Sequence, residues 1–161
     1  SPPPSMLCHS HAFSARSRRY VAPESVEAAV GLSKWVLQVW VYGNSYENVV
    51  VCIVTPDKEA VMGWAKENGL EGSFAEVCAR PEVKQMISED MTACGKASKL
   101  RGFEFPKDVH FETATNELGQ GFTVDNDCLT PTMKLRRPQL QKRYQKHIDA
   151  MYAALKAAGK A

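Results

Sequence analysis

The chain has 161 residues, 44% of them hydrophobic and 24% charged, with a formal net charge of +2. Those values suit one globular domain and exclude a disordered polyelectrolyte, a collagen-like fibre and a nucleic-acid binder that works by bulk charge alone. The longest unbroken apolar run, Val49 to Val54, is far shorter than the roughly 20 residues a membrane helix needs, so any membrane contact is expected to be peripheral.

Residues 1–19 hold five Ser, three Arg, three consecutive Pro and no acid. They lack both the apolar core and the amphipathic face of a targeting segment, and are expected to be disordered. Order is expected from Tyr20 onward. Pro23 suits the first turn of a helix, with Glu24 and Glu27 at its positive end and Val26, Ala29 and Val30 as its apolar stripe. Trp35 to Tyr42 and Tyr46 to Val54 read as two strands joined at Gly43-Asn44-Ser45. The second is apolar on both faces and is placed centrally.

Thr55-Pro56-Asp57 reads as cap, first residue and first-turn acid of a helix ending at Asn68-Gly69, with Val61, Trp64 and Ala65 inward. Ser73-Phe74-Ala75-Glu76 has capping-box spacing. Pro81 starts a longer helix with the stripe Val83, Met86, Ile87, Met91 and Cys94, and Gly102 past its end. Phe103, Phe105, Val109 and Phe111 alternate around Pro106 and predict a broken or edge strand. Residues 112–128 are polar and predict a loop able to carry a small hairpin. Pro138 opens a last helix with the stripe Leu140, Tyr144, Ile148, Met151 and Leu155. This order predicts an α+β domain over residues 20–155, a small mixed or antiparallel sheet flanked by helices, with 156–161 as a tail.

Chemistry-bearing residues are few. The five cysteines, Cys8, Cys52, Cys78, Cys94 and Cys128, are odd in number and form no Cys-x-x-Cys, which fits buried thiols in a reducing compartment. Cys8-His9-Ser10-His11 clusters soft ligands on a stretch expected to be unfolded, so no metal site is assigned there. Asp125-Asn126-Asp127 opens like a calcium loop, but Thr130 and Arg136 stand where Gly and Glu are needed. His110 and His147 show no acid or nucleophile partner, and His147 reads as a packing residue. Gly119-Gln120-Gly121 does not join a strand to a helix, so it is no phosphate cradle. Arg101-Gly102-Phe103-Glu104-Phe105 has the opening rhythm of an RNA-recognition strand; Glu104 and Pro106 oppose that reading, which is kept as an alternative of a different class.

Residues 134–160 carry eight bases (Lys134, Arg136, Arg137, Lys142, Arg143, Lys146, Lys156, Lys160) against Asp149. That segment is net +7, which leaves −5 for the rest of the chain. It begins at Leu129-Thr130-Pro131-Thr132-Met133-Lys134, where Pro131 stiffens the backbone and pushes Thr130 towards extended conformations. A lysine on a stiff loop meets a phosphate or carboxylate as a compact charge.

Thr130-Pro131-Thr132-Met133-Lys134, followed by Arg136-Arg137-Pro138-Gln139-Leu140, resembles the C-terminal signature of long-chain acyl-CoA synthetases, members of the AMP-forming adenylate superfamily. Tyr20-Val21-Ala22-Pro23-Glu24 resembles the segment after that family's interdomain hinge, and Val41-Tyr42-Gly43-Asn44-Ser45 its first hairpin. Trp64-Ala65, Asn68-Gly69 and Leu100-Arg101-Gly102-Phe103-Glu104 follow in family order, so the likeness runs from Tyr20 to about Tyr152. Residues 1–19 depart from it: Arg18-Arg19 stand where the family's hinge has Gly-Glu.

The resemblance implies the small mobile lid of a long-chain fatty acid–CoA ligase. Such an enzyme converts fatty acid, ATP and CoA into acyl-CoA, AMP and pyrophosphate. Lys134 matches the lid lysine of the first step, with Thr132 beside it on the ATP and acyl-adenylate side. Tyr20, Val21 and Ala22 match the lining of the CoA channel. Arg136 and Arg137 are expected either to contact phosphate or the large domain, or to anchor the loop.

No metal ligand and no cofactor is expected on this chain alone; ATP, CoA and magnesium belong to the full enzyme. The expected partner is an adenylation domain, of the same enzyme or separately encoded, and no nucleic acid. Without that domain the chain is expected to be inactive. Fatty-acyl substrates and free thiols imply an intracellular setting at the periphery of the endoplasmic reticulum, a peroxisome or a plastid.

Overall fold

The computed structural model describes residues 13–14 and 20–160. The expectation of disorder for residues 1–19, and the Cys8-His9-Ser10-His11 cluster, fall outside the described residues apart from β1 (Phe13–Ser14), whose backbone pairs antiparallel with β2 (Tyr20–Val21).

Helix α1 (Pro23–Val30) starts where the sequence places it, with Ala22 extended at its N-cap and Glu24 in its first turn. Strands β3 (Val36–Tyr42) and β4 (Val51–Pro56) form the expected antiparallel hairpin, with Trp40 opposite Ile53 and Tyr42 opposite Val51. The second strand begins five residues later than the run from Tyr46 suggests. The Asn44 side chain accepts the Tyr46 amide, so the turn consumes this stretch, and Tyr46 is left 85% exposed. Helix α2 (Lys58–Glu67) is capped by Asp57, which accepts the Ala60 amide at 3.1 Å; Thr55 and Pro56 stay in β4. Trp64, expected inward, is only half-buried.

Ser73 and Glu76 close the capping box of α3 (Phe74–Cys78), and α4 (Pro81–Ala97) follows. Helix α4 ends at Ala97, so Gly102 does not cap it. Gly102–Glu104 is a single 3-10 turn in which the Glu104 carboxylate accepts the Arg101 amide. Only β5 (Val109–Phe111) remains of the strand predicted from Phe103. A surface turn cannot supply the central strand an RNA-recognition sheet needs, so that alternative falls. No strand forms within 112–128; a single antiparallel bridge joins Leu129 to Leu135, and α5 (Arg137–Ala157) closes the chain.

The sheet order is β3-β4-β5, with β4 antiparallel to β3 and parallel to β5, a mixed sheet. All six residues of β4 are buried because its two faces meet two different cores. With a side-chain period of two, Cys52 and Val54 pack with α1, α2 and α4, while Val51 and Ile53 pack with Trp40, Phe122 and the α5 stripe. Each fully buried aliphatic contributes about 1.5–3 kcal/mol. Leu140, Tyr144, Ile148, Met151 and Leu155 are buried as predicted, and Tyr152 joins them by donating to the Val49 carbonyl. Lys142, Arg143 and Lys146 face outward. Cys52, Cys78 and Cys128 are free and buried, and burial pushes all three thiols up. No helix among the described residues is long and apolar enough to cross a membrane.

Candidate functional site

Lys134 sits on a tight hairpin spanning residues 129–135. Thr130 donates its amide to the Lys134 carbonyl at 2.8 Å, and Met133 donates to the Thr130 carbonyl at 2.8 Å. The Thr130 hydroxyl oxygen accepts the Lys134 amide at 3.1 Å and lies 3.0 Å from the Thr132 hydroxyl. Met133 takes φ 65°, a left-handed value that turns the chain sharply just before Lys134. The hairpin is therefore defined by its own hydrogen bonds, and the Lys134 side chain is exposed with no ion pair among the described residues.

Lys134 and Thr130 line one wall of an open groove of about 1030 Å³; Pro23, Glu27 and Tyr42 line another. Of the other expected site residues, Thr132 is exposed on the hairpin, with its hydroxyl against that of Thr130, and does not line the groove. Val21 is in the core and Ala22 is the exposed N-cap of α1. Neither lines the groove, and the Tyr20 side chain lies outside the description.

The two arginines after Lys134 anchor structure. Arg136 pairs with Asp127 at 3.2 Å and donates its amide to the Cys128 carbonyl at 2.8 Å. Arg137 reaches Glu27 of α1 with both guanidinium nitrogens, at 2.7 and 2.9 Å, and Glu27 also accepts the Val41 amide of β3 at 2.8 Å. Burial pushes the Glu27 carboxyl up, while the Arg137 fork and the Val41 amide pull against that push. The sequence reading assigned Glu27 only to the helix end, because a contact 110 positions away leaves no local pattern.

The loop before the hairpin is clamped to the sheet by Gln38. Its amide oxygen accepts the Gly121 and Phe122 amides, each at 2.9 Å, and its amide nitrogen donates to the Phe122 carbonyl at 2.8 Å. Asn126 closes the next turn through the Thr123 amide and the Gly121 carbonyl. The Gly-Gln-Gly run has a packing cause: a Cβ on Gly121 would stand 2.5 Å from the Thr55 hydroxyl oxygen.

His110 of β5 and His147 of α5 do have a partner, namely each other, with ring centroids 3.7 Å apart and planes 16° from parallel. Glu112 beside them accepts the Tyr144 hydroxyl at 2.5 Å. Burial, then the neighbouring His147, push His110 below the usual histidine range, with Glu112 opposing. A depressed folded-state value stabilises the fold above the unfolded histidine value of about 6.5 and loses that contribution as pH falls through the lower one. Between about pH 7.5 and about pH 5.5, melting temperature should fall more for the wild-type chain than for His110→Gln. Equal falls in both would show that the stack does not sense protons. Among the described residues, no group of three or more His, Cys, Asp or Glu is placed to hold a metal.

No protein-family model matches the chain. It is 41% identical over 146 residues to human long-chain-fatty-acid–CoA ligase 1 and 40% identical over the same length to the Cavia porcellus protein of that name. It is 38% identical over 140 residues to long chain acyl-CoA synthetase 3 of Arabidopsis thaliana. These alignments take in 87–91% of this chain but 20% of each relative, so the chain spans about a fifth of the length of the proteins it matches. Among solved structures, the adenylation domain of a Mycobacterium chelonae carboxylate reductase superposes with a TM-score of 0.72 at 29% identity, covering 89% of this chain and 19% of that one. A carboxylic acid reductase didomain from Segniliparus rugosus, in complex with AMP, gives 0.72 at 26% identity, covering 92% and 18%. By sequence the chain is a relative of a segment, about one fifth of the full length, of long-chain acyl-CoA synthetases, and by fold it matches part of carboxylic acid reductase adenylation domains.

Proposed function

We propose that the chain is the C-terminal lid of a long-chain fatty acid–CoA ligase, with residues 20–155 forming the lid and an adenylation domain as its partner. The observation that carries this reading is Lys134: an ammonium with no ion pair among the described residues, on a hydrogen-bonded hairpin that lines an open groove.

In the first step a fatty-acid carboxylate attacks the α-phosphate of ATP, giving acyl-adenylate and pyrophosphate. Two anions must meet, and one positioned cation offsets their repulsion and orients them. Lys134 is that cation, and Thr130 fixes its backbone. In the second step the CoA thiol attacks the acyl carbonyl and AMP leaves. For that attack the lid first turns, and the segment from Tyr20 to Ala22 lines the thiol's channel through its backbone. Magnesium, when bound in such an enzyme, offsets phosphate charge; the sites for ATP, magnesium and the acyl chain fall to the adenylation domain. The substrate class suits work at the periphery of an intracellular membrane.

The purified chain, given ATP, magnesium, CoA and palmitate, should release no pyrophosphate and form no thioester. Placed in human long-chain-fatty-acid–CoA ligase 1 in exchange for the matching segment, it should restore turnover. Sustained turnover by the chain alone, or a folded but dead chimera, would overturn the reading. Rescue by an adenylation portion supplied as a separate chain would mark it as a stand-alone module.

A further inference from the structure

Resting on that reading of Lys134, we propose that Arg137, acting through Glu27, is a positioning residue that locks the lysine-bearing hairpin to α1 and β3. Three elements converge on one carboxylate: α1 supplies Glu27, β3 donates the Val41 amide, and the first residue of α5 supplies the guanidinium fork. The fork is well shielded, with side-chain exposures of 24% for Arg137 and 10% for Glu27; Glu24 flanks it at 3.8 Å.

Arg137 is three residues beyond Lys134. Between them, Leu135 bridges back to Leu129 and Arg136 bonds back to Cys128 and Asp127, so these bonds close the hairpin on itself. Leu129 and Leu135 pack that closed unit against the core that holds Trp40, and the fork adds a directional polar tie to α1. A planar guanidinium on two carboxylate oxygens fixes direction as well as distance. A buried ion pair adds little net stability over an apolar pair of the same shape, so its distinctive contribution here is geometric.

Hydrogen–deuterium exchange on the whole 161-residue chain tests the joint without any chemistry. Arg137→Gln and Glu27→Gln should each speed exchange of the Met133 and Arg136 amides by about tenfold or more, leaving the β4 amides unchanged. Glu27→Gln keeps an acceptor for the Val41 amide, so it remains informative if Arg137→Gln folds poorly. Arg137→Lys keeps the charge but loses the fork, and should loosen the hairpin too. Exchange that rises equally in β4 would reduce the pair to general stability and overturn the proposal.

In the chimera, Arg137→Gln should slow acyl-adenylate formation about tenfold or more. It should spare thioester formation from supplied acyl-adenylate and add nothing further when Lys134 is already Ala. An undiminished effect in the Lys134→Ala background sinks the proposal alone. Full adenylation by Lys134→Ala itself sinks the underlying reading, and the proposal with it.

Discussion

In the chimera with an intact adenylation portion, Lys134→Ala is expected to slow acyl-adenylate formation on the order of a hundredfold or more. The hairpin fixes the lysine's backbone through the Thr130 hydroxyl, so on the proposed reading only the side chain's own torsions have to be ordered when the ammonium meets the reacting anions. Removing one preorganised charge at the carboxylate and α-phosphate exposes their repulsion at the moment of attack. Conversion of supplied acyl-adenylate to acyl-CoA should be largely spared, because on the proposed reading the lid has turned and carried the lysine away from the thiol. Lys142→Ala, on the exposed face of α5, is the control and should change neither half-reaction. A Lys134→Ala variant that stays folded and loses both half-reactions equally would contradict the single-step role.

Phe122→Ala is expected to cost about 3–5 kcal/mol of folding stability, the range for emptying a buried aromatic site. Phe122 is fully buried and meets Tyr144 edge-on at 6.0 Å, within the core that holds Trp40, Ile53 and Leu140. Gln38 holds its backbone on both sides, which keeps the loop from collapsing into the space. Phe122→Leu, which refills most of the volume, should cost about 1–2 kcal/mol. Urea unfolding followed by far-ultraviolet circular dichroism measures both. A loss below about 1 kcal/mol for the alanine variant would show that the loop does repack.

The sequence makes the helices and the central strand legible for local reasons. Pro at helix starts, the Ser73–Glu76 box and the α5 stripe each act within a few residues, and β4 betrays its two cores by being apolar at every position. Lys134 is legible only through its signature, since loop position alone does not separate it from any solvated lysine. What supports the hairpin is not legible at all. Phe122 is one apolar residue in a polar loop, and Gln38 and Glu27 act on backbone and side chains 84 and 110 positions away. The Phe103–Phe111 alternation misleads because Pro106 and the Arg101–Glu104 capping bond divert its first half into a turn.

The mixed sheet also sets an order of assembly. Strands β3 and β4 meet across a short turn, whereas β5 can join β4 only after three intervening helices have been laid down. The second core waits longer still, for α5, which follows β5 in the chain. During synthesis, Trp40, Val51 and Ile53 therefore present an uncovered apolar face until α5 has emerged to cover it. Distant contacts of this kind form slowly, and the exposed face is an invitation to chaperones or to a neighbouring nascent chain. A chain stopped before Arg137 should accumulate as aggregate, while one stopped after Ala157 should not.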